Sequence, residues 1–150
     1  MQIRFRRAAL VATLMFCVSG AAFATPPSTG LGQAWPNATD MSTSSNYHVW
    51  VFLINGIQYI QVNDVNGNVL GGVGNAGSGA YFVLPVGQFA QQVSTPQQTA
   101  PATSATPTAS PTQIYNDGTT AITATPMSDG STTLNAVAVC DPIECNSKGS

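Results

Sequence analysis

Tyr47-His48-Val49-Trp50-Val51-Phe52-Leu53-Ile54-Asn55-Gly56-Ile57-Gln58-Tyr59-Ile60-Gln61-Val62 decides the fold. Asn55-Gly56 lies between two apolar flanks and predicts a type I′ hairpin, because both central residues of that turn need positive φ. The flanks are β-branched and aromatic, as strands prefer. A two-residue turn also sets the register. Ile54 should oppose Ile57, Phe52 should oppose Tyr59, Trp50 should oppose Gln61 and His48 should oppose Asn63. Side chains alternate along a strand, so these residues share one face. Val49, Val51, Leu53, Ile60 and Val62 share the other, which is uniformly aliphatic and is the expected core.

Further turns lie on both sides of Val69. Asn66-Gly67 leads from Val62-Asn63-Asp64-Val65 to Asn68-Val69-Leu70. Tyr81 to Leu84 reads as another strand, ended by Pro85. Asp117-Gly118 and Asp129-Gly130 separate three more β-like runs, Gln113 to Asn116, Thr119 to Ala124 and Thr132 to Cys140. The expected class is all-β: a small antiparallel meander or a two-layer sandwich built on hairpins, with a Pro/Thr/Ser/Gln-rich linker. The chain divides by composition. Residues 1–24 are export sequence, 25–45 an extended lead-in anchored by Trp35, and 46–89 the hairpin and meander core. Residues 90–112 form a low-complexity linker with prolines at 96, 101, 107 and 111. Residues 113–150 hold the C-terminal strands with the Cys loop and are expected to form one domain with 46–89, the alternative being a folded hairpin module followed by a weakly ordered tail.

The first residues carry the clearest targeting signal. Arg4, Arg6 and Arg7 precede an apolar run from Ala8 to Val18, and Ala22-Phe23-Ala24 follows. A positive start, a short apolar stretch and an A-x-A site read as a secretory signal peptide. The apolar stretch is shorter than the roughly 20 residues a membrane span takes. The expected location is the periplasm or the medium. Cleavage after Ala24 leaves Lys148 alone against six carboxylates, a formal charge of −5. One lysine cannot supply the basic stripe that nucleic acid requires, nor attraction to anionic lipid. Cys17 leaves with the signal. Cys140 and Cys145 remain, and an oxidising compartment predicts one disulfide between them that locks a small loop.

Motifs that suggest chemistry have simpler readings. Gly72-Val73-Gly74-Asn75-Ala76-Gly77 matches a dinucleotide fingerprint, but a strand-like run follows where the pyrophosphate needs a helix start. It reads instead as a flexible glycine loop between strands. Asp64-Val65-Asn66-Gly67-Asn68 alternates oxygen ligands, yet Val69 and Asn75 stand where a calcium loop needs glycine and glutamate. A hairpin turn explains the same residues. His48, the only histidine, is placed near Asp64 by the predicted register, without an identified nucleophile. No catalytic residue, metal ligand or cofactor is assigned.

Trp50, Phe52 and Tyr59 are the remaining recognition candidates, either exposed to a ligand or buried as a second apolar layer. The expected function is that of an exported, non-enzymatic β module that binds or scaffolds. Its partner would be an envelope polymer, another exported protein or a second copy, since exposed hairpin edges allow strand addition. The alternative is a small exported inhibitor of a hydrolase. It would act through the Cys140–Cys145 loop or the glycine stretch Gly71 to Gly79.

Overall fold

The computed structural model describes residues 28–139. Residues 1–24, where a signal peptide is expected, and Cys140 and Cys145, the expected disulfide, lie outside the described residues. The architecture is a two-layer β-sandwich. The first sheet contains β1 (Tyr47–Ile54), β2 (Ile57–Asp64), β3 (Val69–Asn75) and β4 (Tyr81–Val83), in the order β1-β2-β3-β4. The second contains β5 (Val93–Ser94), β6 (Thr112–Asn116), β7 (Thr120–Pro126) and β8 (Thr132–Ala138), in the order β5-β8-β7-β6. All pairings are antiparallel except β5 with β8, which is parallel.

The first hairpin has the register its turn dictates, from Ile54 opposite Ile57 to His48 opposite Asn63. Asn55 and Gly56 both have positive φ, 52° and 80°, the type I′ geometry. The inward residues Val49, Ile60 and Val62 meet Ile114, Ile122, Ala124, Leu134 and Ala136 of the second sheet. Burial of these aliphatic faces is the main stabilising term. Leu53 departs from the expected core. It lies at the hairpin tip, where the facing sheet gives no cover, and is 74% exposed.

Ile114 and Tyr115 are consecutive yet both buried, because the β6–β7 register shifts between Gln113 and Tyr115. The extra residue of that bulge breaks the in–out alternation. The glycine stretch also differs from its expected loop form. Gly71, Gly72 and Gly74 belong to β3, and only residues 76–80 form the connecting loop. A Cβ on Gly72 would stand 2.7 Å from the Ile60 carbonyl oxygen, and one on Gly74 would enter the Phe82 ring. These glycines therefore serve close packing within a strand.

The Pro-rich tract between the sheets is structured at its start. Residues Ala90–Gln92 make a single 3-10 turn, and Val93 enters the core through β5. One apolar residue with a parallel partner on β8 is enough to dock a segment whose composition reads as linker. Loops cover much of the sheet margins. Asp40 bridges to Trp50 on β1, the Thr43 amide donates to the Ile114 carbonyl on β6, and the Gln97 side chain accepts from the Tyr81 amide on β4.

Candidate functional site

The outer face of the first sheet carries all three sequence-selected aromatic residues, Trp50, Phe52 and Tyr59. It divides into a covered half and an open half. On the covered half, the lead-in is pinned by two buried amides. Gln61 accepts from the Gly32 amide at 2.6 Å and donates to the Gln33 carbonyl and to Asn63 Oδ1, both at 2.8 Å. Asn63 donates to the carbonyls of Ala34 at 2.7 Å and Gly67 at 3.1 Å. Trp35 packs over Gly67, where no side chain intervenes, and meets the His48 ring edge-on at 5.1 Å. His48 stacks on Trp50 at 5.6 Å.

Trp50 is only 8% exposed, and its buried indole N–H has no hydrogen-bond partner among the described residues. Phe52 is fully enclosed. Neither ring offers a contact surface in this conformation. Tyr59 is half-buried and meets Phe82 edge-on at 6.1 Å. The register places Phe82 beside Gly74, which in turn lies beside Tyr59. An aromatic ring over a strand glycine restores the apolar cover that the glycine lacks. Ile54 and Ile57 complete the same face at the hairpin end. Ile54 is 39% exposed and Phe82 37%. The open half is thus an apolar, aromatic and charge-free surface formed by Ile54, Ile57, Tyr59 and Phe82. Phe82 carried no signal as a site residue, because its neighbours on this face come from β2 and β3. A glycine in the pairing strand is the only clue to its role.

His48 is paired with Asp40, not with Asp64. Its Nδ1 lies 2.6 Å from Asp40 Oδ2. Asp40 reaches it because the lead-in folds back along β1, an arrangement invisible to local pattern. No serine, threonine or cysteine bonds the His48 ring among the described residues, so the pair lacks the third member of a nucleophilic set.

Each carboxylate among the described residues is engaged in a turn. Asp40 accepts from the amides of Ser42 and Val49, and Asp64 from those of Asn66 and Asn68. Asp117 accepts from Thr119 and Thr120 amides, and Asp129 from the Ser131 amide. Asp117 also ties the sheets together, accepting from Gln58 Nε2 and the Tyr115 hydroxyl at 2.9 Å each. Among the described residues there is no lysine or arginine, and no cluster of three metal-ligating side chains. No helix among them is long and apolar enough to cross a membrane.

Burial raises the carboxyls of Asp40, Asp64 and Asp117, but hydrogen-bond donors outweigh it. His48, Val49 and Ser42 act on Asp40, Asn68 and Asn66 on Asp64, and Gln58, Thr120 and Thr119 on Asp117. All three sit below the ordinary 3.8, Asp117 far below. The Ser131 hydroxyl and amide lower Asp129 as well. Burial, then the Asp117 carboxylate, pushes Tyr115 well above 10.0, and burial raises Tyr47. The signs set two limits. A depressed carboxyl contributes stability above 3.8 that is lost as pH falls through its folded value. A raised phenol contributes stability below 10.0 that is lost as pH rises beyond it. The melting temperature should therefore fall on acidification below about pH 4 and again above about pH 10. A thermal melt series read by circular dichroism checks this. An unchanged melting temperature from pH 5 to pH 2 would contradict the carboxylate assignments.

Two clefts flank the β4 region. One, of about 260 Å³, lies between Leu84-Pro85 and Gln98 to Pro101. The other, of about 450 Å³, is lined by Asn75, Ser78, Tyr81, Thr119 and Val139. The chain matches no protein-family model, no curated protein and no solved structure.

Proposed function

We propose that this chain is an exported, non-enzymatic β module that binds an uncharged envelope polysaccharide through the open half of its outer face. The exposed, charge-free group of Ile54, Ile57, Tyr59 and Phe82 carries this reading. Aromatic and aliphatic side chains match the apolar faces of sugar rings, and the absence of charge there suits a neutral polymer. The non-enzymatic part is supported by the turn bonds that engage every described carboxylate. Export rests on the arrangement of Arg4, Arg6, Arg7, the apolar run and Ala22-Phe23-Ala24.

Retention of the mature chain, residues 25–150, on neutral envelope polysaccharide tests the reading, with exported proteins as the competing bait. Phe82→Ala and Ile54→Ser, each verified as folded, should weaken retention about tenfold, or about 1.4 kcal/mol. Undiminished retention in both folded variants would remove this face from the function. Retention only on exported proteins would replace the polysaccharide with a protein partner.

A further inference from the structure

Residues 99–112 read Thr-Ala-Pro-Ala-Thr-Ser-Ala-Thr-Pro-Thr-Ala-Ser-Pro-Thr. Half of these fourteen residues carry a hydroxyl, and three are proline. The tract forms no strand before Thr112, and all seven of its hydroxyl residues are exposed. Its backbone is nevertheless held in place. The Thr108 amide donates to the Pro126 carbonyl at 2.9 Å, the Thr106 amide to Ser128 Oγ at 3.1 Å, and the Ser128 amide to the Thr106 carbonyl at 2.8 Å. Thr103 and Thr108 use their hydroxyls locally, on the Ala105 amide and the Pro126 carbonyl. The hydroxyls of the other five, Thr99, Ser104, Thr106, Ser110 and Thr112, bond no other described residue, and Thr99 is set apart because it lines the cleft beside Leu84-Pro85. Thr106 and Thr112 flank prolines, as does Ser110, and proline keeps the chain extended and out of any ladder.

We infer that Ser104, Thr106, Ser110 and Thr112 are acceptors for O-linked glycan. Ser/Thr tracts rich in proline are the composition of O-glycosylated stalks, because the hydroxyls stay accessible and nothing is lost from a core. The surface gives a physical reason for such a coat. No charged residue occurs between Asp64 and Asp117, whereas soluble surfaces commonly carry about 25–35% charged residues. Sugar hydroxyls would supply the hydration that charge does not. In the reaction, the side-chain oxygen attacks the anomeric carbon of a sugar diphosphate donor carried on a nucleotide or a lipid. The new C–O bond forms as the bond to phosphate breaks. The diphosphate leaves with the electron pair, and the hydroxyl proton passes to a base of the transferase.

The test is mass spectrometry of the chain isolated from the cells that encode it, beside a variant with Ser104, Thr106, Ser110 and Thr112 replaced by alanine. The expected result is one or more sugar residues on the segment 99–112, lost in the variant while its melting temperature is kept. An intact mass equal to that of the unmodified sequence would overturn the inference. So would sugar attached only elsewhere, including Asn37 in its Asn-Ala-Thr sequence, or sugar that persists in the variant.

Discussion

Truncating Phe52 to alanine is expected to lower stability by about 4 kcal/mol and the melting temperature by about 15 °C. Phe52 is on the outward face of β1, where sequence pattern makes it a recognition candidate, yet none of its surface is exposed. Its removal leaves a ring-sized cavity on β1 beside its cross-strand neighbour Tyr59, and rigid strands collapse into such a space only partly. A domain of this size has about 5–15 kcal/mol in total, so a large share would be lost. Urea unfolding measures the change directly. A loss below about 1 kcal/mol would mean that the residue is not enclosed. Polysaccharide retention per folded molecule should be unaffected, in contrast to Phe82→Ala. That contrast separates a buried aromatic from one that faces the ligand.

The second large effect lies at Asn63. Replacing it with alanine should cost about 3 kcal/mol, because two backbone carbonyls lose their donor, Gly67 in a buried bond and Ala34 in a part-buried one. Gln61 Nε2 loses an acceptor at the same time. Asn63→Asp should be at least as damaging at neutral pH, since a carboxylate would face those carbonyls without a proton to donate. Its damage should shrink on acidification, when the carboxyl is protonated. The lead-in should become sensitive to protease in both variants before the sandwich unfolds. Asn63→Ala with wild-type stability and a protected lead-in would show that the amide is not what fastens this segment.

The hairpin register was legible in the sequence because its cause is local. Two adjacent residues with positive φ align the strands, and alternation then assigns every side chain to a face. The all-β class followed from similar Asn-Gly and Asp-Gly signals at Asn66-Gly67, Asp117-Gly118 and Asp129-Gly130, where only the glycine takes positive φ. The site was legible only in outline. Pattern identified the face carrying Trp50, Phe52 and Tyr59, but not which of its rings would remain accessible. It placed His48 near Asp64, as the register does, but could not show the direct bond to Asp40, which returns to the ring along the lead-in. The glycines from Gly71 to Gly74 read as a loop because glycine lacks strand propensity. Close approach by Val93, the Ile60 carbonyl and the Phe82 ring accounts for them within a strand instead.

What the sequence by itself determined is the set of turns and the alternation between them, since both depend on residues within a few positions of each other. Only the tertiary structure decided which apolar surfaces stay in water. The lead-in covers one half of the outer face through bonds that span about thirty residues, such as Gly32 to Gln61 and Asn63 to Ala34. Val93 likewise enters the core only because β8, some forty residues later, supplies a strand for it to pair with. Burial is a property of what arrives from elsewhere in the chain, and no local pattern records that arrival.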